Sequence, residues 1–378
     1  MIDPQQFLDV LVSQDFSFFA GVPDSLLKDI CSAIGDRFSQ KSHFITTQEG
    51  SAVAMAAGYH LASGRHPLVY MQNSGLGNAL NPLVSLAHRD VYSIPILLLI
   101  GWRGAPGESD EPQHMAMGSA TPRILEALKI PYEELPMTID EAKQTVMKVT
   151  TLLRTNNAPS AILVKPGCFE SYELKDKFQF KTSLSREAAL NSVVENIVPK
   201  DTVFLATTGK LGRELFELRE RQGKIPPPDF LNIGAMGHVS QIALGAALNT
   251  SKQVVCLDGD GSLLMHLGGL ATIGQLAPKN FKHIVFNNGA HESVGGQTTI
   301  GSKLNLLSVA SSLGYVWMQR SETEDDLIAK LRELCNVSGP AFLEIRVTNA
   351  SRKTLSRPTT SVLENKLRFM NEFERPNK

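Results

Sequence analysis

The sequence predicts an α/β protein made of two doubly wound parallel-sheet domains, one in each half, with no third domain between them. Three observations predict this. Short apolar runs of strand length alternate with longer helix-like segments through both halves. The alternation stops once, over the polar and charged stretch from Gly167 to Ser183. The residues of most distinctive chemistry fall in Gly-, Asn- and Asp-containing loops that follow the apolar runs. Alternating strands and helices pack as a parallel sheet covered on both faces, and such sheets bind ligands beyond the carboxyl ends of their strands. The expected organisation is a first domain over 1–168, a linker over 169–183 and a second domain over 184–378. With 378 residues, 42% of them hydrophobic, each half is long enough to bury its own core.

In the first half, Phe16 to Ala20 reads as a strand, Ser25 to Ala33 as a helix and His43 to Thr47 as a strand. A helix of small residues is expected from Gly50 to Ser63, then a strand from Pro67 to Gln72, a helix from Asn78 to Ala87 and a strand from Pro95 to Gly101. Trp102 to Gly118 is polar and longer than a connection needs, so it is expected to be a loop that serves as a lid. Ala161-Ile162-Leu163-Val164 closes the series as a strand. In the second half the expected strands are Thr202 to Ala206, Gln253 to Leu257, His283 to Phe286 and Ala341 to Ile345. The expected helices lie near Arg186 to Ile197, Gly209 to Arg221, Val239 to Leu248, Leu263 to Gln275 and Glu324 to Asn336.

Composition narrows the class. A formal net charge of −1 gives no basic field for nucleic acid. The N-terminus, Met1-Ile2-Asp3-Pro4-Gln5-Gln6, has neither a basic nor an apolar signal region. The most apolar run, Ile94 to Ile100, is too short to span a bilayer, so no membrane partner is expected. Cys31, Cys168, Cys256 and Cys335 are scattered with no CxxC pair, which suits core residues in a reducing cytoplasm.

The chemistry begins at Gly259-Asp260-Gly261-Ser262, followed at the end of the next strand by Asn287-Asn288. Either half alone is a common turn. Together they put a carboxylate and a carboxamide at adjacent strand ends, where both can grip one hard cation, while the glycines and a helix N-terminus receive a phosphate. This pairing resembles the cofactor signature of thiamine-diphosphate enzymes. The resemblance implies that Asp260, Asn288 and the carbonyl of Ala290 hold Mg²⁺, with Gly259, Gly261 and Ser262 beside the diphosphate. It also implies a pyrimidine-binding first domain and a diphosphate-binding second domain.

Other motifs take their meaning from that resemblance. Thr47-Gln48-Glu49-Gly50 ends a strand and opens a helix, where an acidic residue by itself only favours the helix dipole. Glu49 matches the family glutamate that hydrogen-bonds the aminopyrimidine and favours its imino tautomer, a role suited to a raised pKa. In Asn232-Ile233-Gly234-Ala235-Met236-Gly237-His238, Met236 is by itself core filling. Within the family a large apolar side chain here wedges the cofactor rings into a bent pose, with Gly234 and Gly237 giving room. His238 is expected to cap the helix or to touch diphosphate. Thr207-Thr208-Gly209-Lys210 follows the first strand of the second half, which makes Thr208 and Gly209 cofactor candidates or a simple cap.

The chain passes from one domain to the other without the third domain of many family members. It resembles the compact decarboxylases of 2-keto acids that carry a phosphonate or a sulfonate, most closely the phosphonate group. The segments that carry this are Gly21-Val22-Pro23-Asp24-Ser25, Asp110-Glu111-Pro112-Gln113-His114 and His291-Glu292-Ser293-Val294-Gly295-Gly296-Gln297. Asn73-Ser74-Gly75-Leu76-Gly77-Asn78 is a further substrate-side loop. The resemblance implies decarboxylation within phosphonate biosynthesis of the 2-aminoethylphosphonate type. Asp24, His114 and Glu292 are then the proton-transfer or orienting candidates and Ser25 and Asn73 hydrogen-bonding partners. Arg103, Lys210 and His291 are cations for the phosphonate. Glu49 and Asp260 lie in different domains, so the family's cofactor arrangement implies a homo-oligomer with its active site at the subunit interface. A non-catalytic cofactor-binding module is the reading that Glu49 argues against. A dinucleotide binder is disfavoured because no G-x-G-x-x-G links a strand to a helix.

Overall fold

The computed structural model describes residues 1–197, 201–349, 351–352 and 354–374. The chain forms two compact units, the first of Met1–Lys177 with His291–Gln297, the second of Phe178–Ala290 with the chain from Thr298 on.

The first unit runs α1 (Pro4–Ser13), β1 (Phe19–Gly21), α2 (Lys28–Arg37), β2 (His43–Ile45), α3 (Glu49–Ser63), β3 (Leu68–Gln72), α4 (Leu76–Pro82), β4 (Leu97–Gly101), α5 (Pro112–Ala127), β5 (Tyr132–Glu134), α6 (Ile139–Asn156) and β6 (Ser160–Val164). Its six strands are all parallel in the order β2-β1-β3-β4-β6-β5. Successive strand residues point to opposite faces, so Leu68, Tyr70, Leu97 and Leu99 join one core while Val69, Met71, Leu98 and Ile100 join the other. Helices α1, α2 and α6 cover the first face through Phe7, Leu11, Ile30 and Val146; α3, α4 and α5 cover the second through Ala56, Ala79 and Leu125. Burial on both faces explains why the strands read as unbroken apolar runs. The strand order reverses between β1 and β3, which opens a crevice at their carboxyl ends.

The second unit repeats the plan with α7 (Arg186–Asn196), β7 (Thr202–Ala206), α8 (Lys210–Arg221), β8 (Phe230–Leu231), α9 (Val239–Ala247), β9 (Gln253–Gly259), α10 (Asp260–Met265), α11 (Gly269–Leu276), β10 (Phe281–Asn287), α12 (Leu306–Ser312), β11 (Trp317–Ser321), α13 (Glu324–Asn336), β12 (Ala341–Arg346) and α14 (Val362–Glu374). The sheet order is β11-β12-β10-β9-β7-β8, again parallel throughout, with the reversal between β7 and β9. Two internal ion pairs brace this unit. Arg186 reaches Glu214 at 2.8 Å through two bonds, and Arg219 meets Asp229 at 2.7 and 2.8 Å.

Several expectations need correction. The stretch from Trp102 to Gly118 is not one long lid. Helix α5 starts at Pro112, and Trp102 is buried with its Nε1 donating to the Gly118 carbonyl at 2.9 Å. Pro at the first helical position, behind Asp110-Glu111, was the helix-start signal. The helix expected from Leu263 to Gln275 is two, α10 and α11, because the chain leaves helical geometry at His266, with φ −132° and ψ 48°, and re-enters it at Gly268-Gly269. The helix expected from Asn78 to Ala87 is α4 followed by a wider turn over Leu83–Ala87, since Pro82 has no N–H to give. Helices α1, α6, α12 and α14 and strands β5, β8 and β11 were not foreseen. For α1 the signal was Asp3-Pro4: the Asp3 carboxylate accepts the N–H of Gln5 at 2.6 Å.

Candidate active site

Helix α3 begins where β2 delivers the chain. Gln48 caps it by accepting the Gly50 N–H at 2.7 Å, which sets Glu49 at the first position. The Glu49 carboxylate is 5% exposed and receives a hydrogen bond from Asn78 Nδ2 at 2.8 Å. Burial raises its pKa above the ordinary carboxyl value, and the Asn78 bond opposes that rise without cancelling it. The carboxylate lies against Gly75: a Cβ there would stand 2.5 Å from Oε1. Gly75 has ordinary helical φ and ψ of −68° and −16°, so the approach of Glu49, not the backbone, calls for glycine.

The carboxyl ends of β1, β3 and β4 converge on a second group. Asp24, 1% exposed, accepts from Gln72 Nε2 at 2.5 Å and from the Leu26 N–H at 2.9 Å. At Gly101 an added Cβ would lie 2.1 Å from Asp24 Oδ2, so a side chain at that position is incompatible with this carboxylate. Ser25 Oγ lies 3.4 Å from Asp24 Oδ1 and accepts from Arg103 at 2.7 Å. Arg103 also grips Asp110 through two bonds of 2.6 and 2.5 Å, and Asp110 lies 3.0 Å from His114 Nδ1. Asn73 is fully buried; its amide donates to the Arg103 carbonyl and to Thr121, and its oxygen accepts the Arg103 N–H. It therefore anchors the loop after β4. Asp24, Ser25, Arg103 and His114 are thus brought into one connected network.

Within the same unit, His291–Gln297 forms a tight loop closed by the His291 N–H on the Gln297 carbonyl at 2.8 Å, with Glu292 in its short helical turn. Gln297 is buried and its amide lies 3.4 Å from Ser32 Oγ on α2. Burial lowers the His291 imidazole to about 4.

In the second unit, β9 and β10 are adjacent, with Phe286 opposite Gly259. This register puts Asp260 and Asn288 just beyond neighbouring strand ends. Asp260 is buried and accepts from Thr299 Oγ1 and from the backbone N–H groups of Gly261 and Asn288. Burial pushes its pKa up to about 6, although those hydrogen bonds lower it. Asn288 Oδ1 accepts the Ala290 N–H at 3.1 Å. Among the described residues no ion pair neutralises Asp260, and no cluster of three His, Cys, Asp or Glu side chains suits a metal. A buried carboxylate and a carboxamide oxygen at neighbouring strand ends are oxygen donors of the kind a hard cation takes.

The loops beside this carboxylate are cross-braced. Ser262 bonds Thr207 Oγ1 at 2.9 Å and accepts the Gly237 N–H at 3.2 Å; Thr208 donates to the Ile233 carbonyl at 2.9 Å. The turn from Gly234 to His238 is thereby fixed against Gly259-Asp260-Gly261, with Met236 half-buried. His238 occupies the N-cap position of α9 but makes no capping bond with its side chain. Its ring instead packs on His266, centroids 4.2 Å apart. Gly209 precedes α8, and Lys210 Nζ reaches Ser351 Oγ at 2.6 Å.

Some residues here escaped the sequence reading. Gln72 and Gly101 carry a weak signal only, their position at strand ends, and Asn78 was visible as part of a loop motif but not as the partner of Glu49. Asp110 was visible as one residue of a loop motif but not as the hub of five donors. Thr299 had no signal, being 39 positions from the carboxylate it serves.

Comparison with known proteins agrees with this layout. Residues 4–121 match the N-terminal TPP (thiamine pyrophosphate, that is, thiamine diphosphate) binding domain of thiamine pyrophosphate enzymes, and residues 220–345 match their C-terminal TPP binding domain. A phosphonopyruvate decarboxylase of Streptomyces viridochromogenes is 36% identical, over 93% of this chain and 89% of that protein. One of Streptomyces hygroscopicus is 35% identical over 98% and 93%. A sulfopyruvate decarboxylase of Methanosarcina acetivorans is 27% identical over 91% of both chains. Among the described residues no helix is long and apolar enough to cross a membrane. The chain belongs to the thiamine-diphosphate-dependent decarboxylases, as a homologue of phosphonopyruvate decarboxylase.

Proposed function

We propose that the protein converts 3-phosphonopyruvate to phosphonoacetaldehyde and CO₂, with thiamine diphosphate held through Mg²⁺, and that it works as a homo-oligomer. The observation that carries the substrate is the identity of 36% and 35% along nearly the whole chain to two phosphonopyruvate decarboxylases, against 27% to the sulfopyruvate relative. When bound, thiamine diphosphate supplies the nucleophile for the keto carbon and the ring that accepts the electrons left by departing CO₂. Glu49 carries a proton and shares it with the aminopyrimidine, which its raised pKa and buried setting favour. Asp260, Asn288 and the Ala290 carbonyl hold the cation, and Gly259, Gly261, Ser262, Thr208 and Gly209 line the diphosphate. Met236, between Gly234 and Gly237, is the residue that shapes the cofactor pose.

Asp24 and His114 exchange protons with the reacting substrate, and Glu292 orients it. Arg103 faces the phosphonate with Ser25, and Lys210 is the remaining cationic candidate; His291, which burial holds neutral near neutral pH, offers hydrogen bonds and not a charge. Asn73 acts through Arg103, whose backbone it holds on both sides. The test is CO₂ and aldehyde release by protein loaded with thiamine diphosphate and Mg²⁺, offered phosphonopyruvate, sulfopyruvate or pyruvate. Phosphonopyruvate should be turned over with the highest kcat/KM. A preference for sulfopyruvate would replace the substrate assignment, and no CO₂ from any of the three would remove it. Chelation should abolish turnover and Mg²⁺ restore it, and light scattering should give at least twice the 41.2 kDa chain mass.

A further inference from the structure

Asp110 is built as a junction. Its two carboxylate oxygens accept from Arg103 Nε at 2.6 Å, Arg103 Nη2 at 2.5 Å, the Gly104 N–H at 3.2 Å and the Glu111 N–H at 2.8 Å, and His114 Nδ1 lies 3.0 Å away. Its side chain is only 10% exposed. Burial raises its pKa, but the bonds from Arg103, His114 and the Glu111 backbone outweigh that and hold the carboxyl well below the usual range. An ionised carboxylate has no hydrogen to give, so the short approach of His114 requires the hydrogen on Nδ1. Nε2 then becomes the ring nitrogen that exchanges protons with a bound molecule. The same carboxylate fixes the plane of the Arg103 guanidinium, whose Nη1 reaches Ser25 and, through it, Asp24. Asp110, three residues beyond the positive-φ turn at Gly107 and two before α5, thereby ties the loop after β4 to the first turn of the helix that carries His114.

We propose that Asp110 is a positioning residue. It locks His114 in the Nδ1–H tautomer with Nε2 as the working nitrogen, and it sets the face of Arg103 that meets the substrate anion. This rests on the assignment of His114 and Arg103 to the substrate site, but its primary readout needs no substrate.

The test is ¹⁵N NMR of histidine-labelled protein with cofactor bound, the His114 resonances being assigned with a His114→Gln variant. Neutral wild-type His114 should show a protonated Nδ1 and an unprotonated Nε2, and Asp110→Asn should move the ring toward the Nε2–H form. The same variant should lose ~10- to 100-fold in kcat with thiamine diphosphate affinity unchanged, the range of a misplaced proton-transfer group. Asp110→Glu, which keeps the charge, should recover part of the rate. A wild-type Nε2–H tautomer overturns the proposal, as does an Asp110→Asn protein that keeps the Nδ1–H form. Should Asp110→Asn not fold, the wild-type spectrum decides alone. A protein that ignores phosphonopyruvate yet shows the Nδ1–H tautomer would end the substrate assignment and leave the role of Asp110 standing.

Discussion

Gly75→Ala adds one methyl group and tests how tightly the Glu49 carboxylate is placed. The new Cβ would sit 2.5 Å from Oε1 and 2.6 Å from both Cδ and Cγ of Glu49. Ordinary contact between such atoms is roughly 3.5 Å, so the carboxyl group must retreat by about 1 Å. That movement breaks the 2.8 Å bond from Asn78. A hydrogen bond to a charged group contributes about 1.5–3 kcal/mol, and a misplacement of about 1 Å costs roughly 100-fold in rate. At 1.36 kcal/mol per decade the second figure is about 2.7 kcal/mol of activation free energy, whereas the first is a loss of stability. The expected result is a kcat lowered ~10- to 100-fold at saturating thiamine diphosphate and Mg²⁺, with Tm lowered by only a few degrees, since one hydrogen bond is lost and the backbone of residue 75 accepts alanine. Gly77→Ala is the control, since a Cβ there meets nothing within 4 Å. A Gly75→Ala enzyme as fast as the wild type, or one slowed no more than Gly77→Ala, would refute the placement of Glu49 as the group whose position limits the rate.

Glu49→Gln should retain cofactor and lose ~100-fold or more in kcat, measured by CO₂ release. Its cofactor-free form should also be more stable than wild type at neutral pH. The folded pKa of Glu49 is raised above 4.5, so the carboxyl favours the fold below about that pH and the benefit disappears as pH rises through the folded pKa; Tm against pH for both proteins reads this, and parallel curves would contradict it. Gly101→Ala would set a Cβ 2.1 Å from Asp24 Oδ2, and kcat should fall by ~100-fold while thiamine diphosphate still binds. Arg219→Met leaves Asp229 buried without its partner and should cost about 3–5 kcal/mol in denaturant unfolding, whereas replacing both residues by apolar ones should recover most of it.

The sheets were legible because their central strands are buried on both faces. Runs such as Ile96 to Ile100 can be little else in a chain of this composition. The peripheral elements were not, since β5, β8 and β11 are two to five residues long and only partly buried. Helix α5 was hidden by its Met-, Gly- and Ser-rich sequence, which lacks a clear apolar stripe although Pro112 marks its start. At the site, Glu49, Asp24 and Asp260 could be singled out because the motifs around them resemble those of thiamine-diphosphate enzymes; an acidic residue at a strand end by itself marks only a turn or a helix start. Their partners could not. Asn78 is reached across 29 positions and Thr299 across 39, and pairings over such separations are properties of the folded chain.

Gly75 and Gly101 have a consequence for how the chemistry is written in the gene. Neither carries a functional group, and Gly75 does not need glycine for its backbone. In a saturation library scored by turnover, both codons should nonetheless be intolerant, because any side chain there crowds a carboxylate. The mutational footprint of the reaction is therefore wider than its list of acids and bases. An alanine found at either glycine in another strain would be a loss-of-function allele whose cause is a displaced carboxylate and not a missing functional group.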